Sequence, residues 1–344
     1  MVIASDMTAK LLMTTMTTAL SSSIMKERTF VCSDGVKLAA QWYPPQRHPS
    51  AESEKQQVGA ESAPMVPRHK ILLLHGWLDN CRTFWKLAPH LPFDDVIALD
   101  LPGHGRSDHK SKDAPPIVLA DAAFYVADVL HQLEWKSGVT IVGHSMGAAI
   151  SLLYSATFPD QIQKLILLEG VGPLEKQEKD ITRHLRLHIE KRLKGNDALY
   201  HADSTKGPRL YPTREKAAET RQATAKLAPG KQYLSIEAAR ELVDRATLEQ
   251  EGGGFTFQHD VRLQWPSMLY MTPLQVATLQ KAVQCPICLL LAEDGWPIDA
   301  DMLDAIKDRL QPTSFHILPG SHHFHADPDT ADAVAHHIEE FLKQ

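Results

Sequence analysis

The chain has 344 residues, 43% of them hydrophobic and 23% charged, with a formal net charge of −6. This length and balance allow one large domain or two small ones, and exclude wholesale disorder. The acidic sign excludes the broad basic footprint of a nucleic-acid binder, no apolar run approaches the ~20 residues of a membrane span, and 4 Cys are too few for a disulfide scaffold.

Residues 1–28 read as an N-terminal extension. Its Leu11–Met25 stretch is rich in Thr, Ser and Met, lacks acids and is flanked by Lys10, Lys26 and Arg28. Basic, hydroxylated, acid-poor segments resemble transit peptides, so the expected compartment is the cytoplasm, or an organelle if this segment directs import. From residue 29, Phe30–Cys32 and Val36–Tyr43 flank Ser33-Asp34-Gly35 and read as a hairpin. Residues 44–69 are rich in Pro, Ser, Glu and Gln, a solvated loop insertion.

A regular alternation follows. Lys70–Leu74, Val96–Leu99, Val139–Val142 and Leu165–Leu168 are short apolar runs. Leu119, Ala122, Val126, Val129 and Leu133 recur at helical spacing between the second and third. Ile287–Leu291 and Phe315–Leu318 are later strands, separated by a helix over Asp301–Leu310, and a last helix carries Ala331, Val334, Ile338 and Phe341 on one face. Short apolar strands between amphipathic helices predict an α/β fold: a mostly parallel sheet with helices on both faces. Residues 173–284 break the alternation after the sixth strand. They are charged and helix-prone, with Thr272-Pro273-Leu274-Gln275 as a capped helix start. A helical insertion there would sit over the carboxyl ends of the strands, where open α/β sheets bind ligands. The expected organisation is thus a core over 29–172, a cap over 173–284 and the rest of the core over 285–344.

Gly143-His144-Ser145-Met146-Gly147 carries the chemistry. Gly-x-Ser-x-Gly between a strand and a small-residue helix forms a tight, strained turn that exposes the serine hydroxyl. Ser145 is therefore the candidate nucleophile. It needs a base, and His322, His323 and His325 follow the last strand and the turn Pro319-Gly320-Ser321. His322, nearest the turn, is preferred. A metal site at the three histidines lacks a partnered Cys or Asp spacing. The orienting acid is Glu169 or Asp294, each at a strand end and each giving the order Ser, acid, His. Backbone N–H groups of Met146 and Trp77 would meet the oxyanion. The loop Asp100–Asp108 lacks the ending of a phosphate loop and reads as structural. Cys285 and Cys288 flank a strand start and read as structural. His184 and His188, spaced i, i+4 without a zincin Glu, read as a solvated face with Arg183, Arg186, Lys191 and Arg192.

Taken together, His75-Gly76, Asp100–Asp108, the Gly143–Gly147 motif and the late histidine resemble the α/β-hydrolase superfamily from residue 29 to the C-terminus. Leu168-Glu169-Gly170-Val171-Gly172-Pro173, His259-Asp260-Val261-Arg262-Leu263, Trp265-Pro266-Ser267 and Ala292-Glu293-Asp294-Gly295 resemble its serine hydrolase-like (kraken-like) subgroup. The resemblance implies a capped serine hydrolase without a cofactor or metal, acting on a small or medium carboxylic ester through an acyl-enzyme. The same triad would also serve a thioesterase, amidase, lipase or acyltransferase, and the fold is reused for ligand binding. Many relatives carry the acid where this chain has Gly295. Some capped relatives carry a carboxylate at the position of Glu169, which favours Glu169 over Asp294. A Ser at 145, rather than Asp, sets the chain apart from the haloalkane dehalogenase and epoxide hydrolase branches.

Overall fold

The computed structural model describes residues 25–44, 69–91, 95–112, 114–200 and 209–344. Most of the N-terminal extension and of the 44–69 insertion lies outside the described residues.

The hairpin pairs β1 (Lys26–Val31) with β2 (Lys37–Tyr43) antiparallel around the Asp34-Gly35 turn. β1 begins four residues before the expected Phe30, because Lys26–Thr29 extend the pairing against Ala39–Trp42. The sheet continues with β3 (Lys70–Leu74), β4 (Asp95–Leu99), β5 (Val139–His144), β6 (Ile162–Leu168), β9 (Ile287–Asp294) and β10 (Ser314–Ser321). Its order is β1-β2-β4-β3-β5-β6-β9-β10, parallel from β4 onward. β3, β5, β6 and β9 are buried on both faces, which is why they read as continuous apolar runs rather than alternating ones.

Helices cover both faces. α1 (Leu119–Gln132) and α2 (Met146–Thr157) pack with Leu72, Leu74, Ile141 and Leu167 on one side; α8 (Ala331–Lys343) packs with Ile71, Leu73, Val142 and Ile166 on the other. α7 (Ala300–Leu310) lies between β9 and β10 in the chain. A β-carbon on Gly147, near the start of α2, would fall 2.8 Å from the His75 carbonyl oxygen and closer still to that of Leu74. Only glycine lets the helix start this near the β3 backbone. β10 runs on to Ser321 through a register shift between Leu318 and Ser321, where a turn was expected. The bulge keeps Pro319 and Gly320 within the strand and delivers the chain to His322.

The segment between β6 and β9 holds α3 (Ile181–Tyr200), α4 (Arg214–Ala225), α5 (Ile236–Ala246) and α6 (Pro273–Ala282). α6 starts at the expected Thr272 capping box. A short hairpin, β7 (Thr247–Glu249) with β8 (Phe255–Phe257), interrupts the helices. Gly252, Gly253 and Gly254 are poor helix residues, and the alternating Phe255-Thr256-Phe257 suits a strand. α4 and α5 share a small core of Ala217, Ala218, Leu234, Ala239 and Leu242 that also takes in Ala326 from the loop after β10. His184 and His188 do not form a solvated face. His188 is buried and meets the Pro266 carbonyl at 2.8 Å, and His184 lies 5.0 Å from the Tyr270 ring. Their shared helical face packs on the 265–270 loop, leaving Arg183, Arg186 and Lys191 outside. No helix among the described residues is long and apolar enough to cross a membrane.

Candidate active site

Ser145 sits between β5 and α2 at φ 52°, ψ −112°. A non-glycine residue in that region carries strain of order 1–3 kcal/mol. The surroundings hold it there: its N–H donates to the Leu168 carbonyl at 2.9 Å, and its carbonyl accepts from Ala149 at 3.2 Å. Ser145 is partly exposed, although the residues on either side of the turn, His144 and Gly147, are buried. Met146 opens α2, so its N–H has no partner within the helix.

His322 lies in the loop after β10. Its Nδ1–H donates to Glu169 Oε2 at 3.0 Å. With that nitrogen protonated, the neutral ring keeps a lone pair on Nε2. Glu169, at the end of β6, is buried and held at φ 51°. Its Oε1 accepts from the Ala292 N–H at 2.6 Å and its Oε2 from the Trp296 N–H at 2.8 Å. Two backbone donors and an imidazole thus satisfy the carboxylate and fix its direction. Asp294 stands apart: it is half exposed at the end of β9 and pairs with Lys231 at 3.5 Å. A β-carbon on Gly295 would fall 2.5 Å from Glu169 Cδ. The Glu169 carboxylate therefore fills the place a longer side chain at 295 would take.

The loop after β3 turns between Gly76 and Asp79, closed by the Asp79 N–H on the Gly76 carbonyl at 3.2 Å, with Leu78 at φ 59°. Trp77 is the second residue of this turn, so its N–H is not used in closing it. Its indole Nε1–H donates to the Leu263 carbonyl at 2.9 Å. The Trp296 ring lies 5.9 Å from that of His322. Both indoles are about half exposed, 53% and 46%, a large apolar surface beside the loops that carry His322 and Trp77. The Asp100–Asp108 loop is structural, as expected. Asp100 is buried and accepts from Cys81 N–H, Arg106 N–H and Arg245 Nε–H at 2.7–2.8 Å.

Several contacts at this site have no local sequence signal. Gln232, from the chain between α4 and α5, accepts the His322 N–H at 2.9 Å. Ser321 Oγ–H donates to the Tyr233 carbonyl at 2.6 Å. Asp79 is buried and joins His323 Nε2 at 3.0 Å and Arg221 of α4 at 2.7 Å. Burial works against its charge, yet His323 and Arg221 hold its carboxyl well below the usual range. Burial also lowers His144 and His325 well below the ordinary imidazole value, reinforced by the neighbouring histidines. Packing of the insertion on the core brings Arg221, Gln232 and Tyr233 to these residues, whereas Asp79 and His323, far apart in sequence, meet within the core itself. Among the described residues, Asp79, His144 and His323 have ligand atoms within 4.8 Å of one another. The Arg221 guanidinium bound to the same carboxylate opposes a cation there, and the set reads as a polar network.

Comparison with known proteins places the chain in a family. The family model described as alpha/beta hydrolase fold matches residues 70–329. A serine hydrolase-like protein of Danio rerio is 33% identical over 285 residues, covering 79% of this chain and 81% of that protein. A probable serine hydrolase of Drosophila melanogaster is 27% identical over 286 residues, 80% of this chain and 82% of the relative. The crystal structure of a hypothetical protein from Pseudomonas aeruginosa superposes with a TM-score of 0.75 at 32% identity, covering 93% of this chain and 99% of that one. The family model spans well over half of the chain, and the chain belongs to the α/β-hydrolase family.

Proposed function

We propose that the protein is a serine hydrolase that cleaves a small or medium carboxylic ester through an acyl-enzyme. The observation that carries this reading is the buried, doubly amide-bound Glu169 carboxylate on His322 Nδ1 at 3.0 Å, which leaves Nε2 as a base in a loop beside the strained Ser145 turn. Ser145 Oγ attacks the ester carbonyl carbon while His322 Nε2 takes its proton. The N–H groups of Trp77 and Met146 meet the developing oxyanion; losing one such donor typically costs about 3–4 kcal/mol of barrier. The tetrahedral species collapses, and the alcohol leaves with the proton from His322. Water, deprotonated by His322, attacks the acyl carbon and the acid departs, restoring Ser145. Glu169 is the orienting acid; Asp294, facing Lys231, takes no part in this reading.

Residues 173–284 act as the cap. Support comes from three contacts with the loops at the strand ends: Leu263 with Trp77, Gln232 with His322, and Arg221 with Asp79.

The test is a fluorophosphonate probe with the adduct mapped by mass spectrometry. The expected result is stoichiometric labelling at Ser145, absent in Ser145→Ala and lost in His322→Ala. Glu169→Gln should lower kcat about 10³–10⁴-fold. A folded wild-type chain that neither labels nor turns over esters would move the protein to the ligand-binding members of the fold.

A further inference from the structure

Asp79 is a buried carboxylate at which four pieces of this site meet. It belongs to the loop that carries Trp77. Its Oδ2 accepts from His323 Nε2 at 3.0 Å, and His323 is the residue after His322. The same oxygen lies 3.9 Å from Nδ1 of His144, the residue before Ser145. Its Oδ1 accepts from Arg221 of the insertion at 2.7 Å. His144 extends the connection: its Nε2–H donates to the His322 carbonyl at 2.8 Å. A carbonyl accepts only, so the proton of neutral His144 is on Nε2 and its Nδ1 presents a lone pair toward Asp79. That buried nitrogen has no hydrogen-bond partner among the described residues. The Asp79 side chain is about 1% exposed and the Arg221 side chain 19%, so the pair is held largely out of water.

We propose that Asp79 and Arg221 are a positioning pair that sets the register of the oxyanion loop, the Ser145 turn and the His322 loop when the insertion is docked. Neither residue touches a reacting atom. Arg221 neutralises Asp79 from the insertion side. Asp79 then holds His323, and with it the backbone from which His322 reaches Glu169. His144, through its Nε2–H on the His322 carbonyl, ties the Ser145 turn to the same His322 loop. A cap bound only by apolar contacts could shift without consequence for His322. One bound through Arg221 to Asp79 cannot leave without exposing a buried carboxylate that three loops share.

This inference rests on the hydrolase reading, and its test separates the two. Arg221→Met removes the insertion's charge, Arg221→Lys restores it, and Asp79→Asn keeps the shape of the acceptor side chain. For a short chromogenic ester, Arg221→Met and Asp79→Asn should lower kcat at least tenfold with KM changed less than threefold, and slow fluorophosphonate labelling in proportion. Arg221→Lys should recover most of the loss. Long-range ¹H–¹⁵N spectra of histidine-labelled protein give a reading that needs no turnover. The Nδ1–H signal of His322 on Glu169 should shift in Arg221→Met and Asp79→Asn, although neither residue contacts that imidazole. An unmoved His322 signal in folded variants overturns the inference, as does a loss of kcat that follows thermal stability and is not rescued by Arg221→Lys. If Asp79→Asn does not fold, the Arg221 series decides alone. A wild type that shows the His322 signal and its shift in Arg221→Met, but never labels at Ser145, would sink the hydrolase reading and keep the positioning pair.

Discussion

Glu169 and Gly295 are two halves of one arrangement. The carboxylate comes from β6, and the position on the β9 side that would collide with it is a glycine. Gly295→Asp alone should therefore inactivate, because two carboxylates cannot share that space as ions. Combined with Glu169→Ala it should restore at least tenfold of the activity lost in Glu169→Ala, read as kcat/KM on a chromogenic ester. No gain in the double variant would mean that an acid at 295 cannot reach His322. The sequence made half of this visible. Ser145 was legible because its motif is local, with strand, turn and helix contiguous. Strand-end position and chain order left Glu169 and Asp294 level, since both end strands and both precede the histidine, and only the resemblance to capped relatives favoured Glu169. Adjacent residues point in opposite directions along an extended chain, which turns Asp294 toward Lys231 and away from Glu169. That contrast needs the positions of three strands, which no spacing within one of them encodes.

At the level of elements, α5 is fastened to the core through Arg245. Its guanidinium is buried, donates to Asp100 at 2.7 Å and forks onto Glu27 at 2.7 and 3.0 Å. Burial opposes the charge, but its acidic neighbours hold Arg245 protonated, and Arg245 holds Glu27 below its ordinary value against burial. Arg245→Met should destabilise the protein by about 3–5 kcal/mol, because it leaves Asp100 buried without its cation. Urea melts with an unchanged midpoint would refute this. The Asp100–Asp108 loop reads from sequence as structural, but its partner lies 145 residues away. Elements whose pattern is periodic, such as α1 and α8, fall where their apolar spacing puts them. The β7–β8 hairpin and the inward face of α3 do not. Their surroundings are supplied by other parts of the insertion, and the basic residues beside His184 and His188 suggested a solvated face there.

Over the whole molecule, buried histidines set the response to acid. His75, His144 and His325 are pushed down chiefly by burial, and His104 reaches about 3. Each stays neutral in the folded chain at pH values where the unfolded chain, with an ordinary value near 6.5, is already protonated. The unfolded state then binds more protons, so stability is full above about pH 6.5 and falls as pH drops below it. A group that stays neutral in the folded chain removes about 1.4 kcal/mol for each pH unit below its unfolded value, so several together weigh heavily against the total stability of a domain. Asp79 and Asp260, held low by their cations against burial, add a second loss as pH falls through the carboxylate range. Circular dichroism titrations should show unfolding that begins near pH 6 and completes above about pH 4. A His104→Asn variant should be flatter by about one proton. A chain stable to pH 4 would mean that these imidazoles accept protons when folded.

The place of Glu169 has a consequence for how the chain can be divided. Ser145 and Glu169 both precede Pro173, whereas His322 follows the insertion, and the two parts of the core meet along the β6–β9 ladder from Leu165–Ile287 to Leu168–Leu290. A fragment ending at Gly172 would expose that strand as a bare apolar edge, which favours recapture of its missing neighbour. Met1–Gly172 and Pro173–Gln344, produced as separate chains, should each be silent toward the fluorophosphonate and label Ser145 only when mixed. The seam that admits the insertion would then serve as a reassembly switch, with covalent labelling reporting the fraction of halves that have found each other.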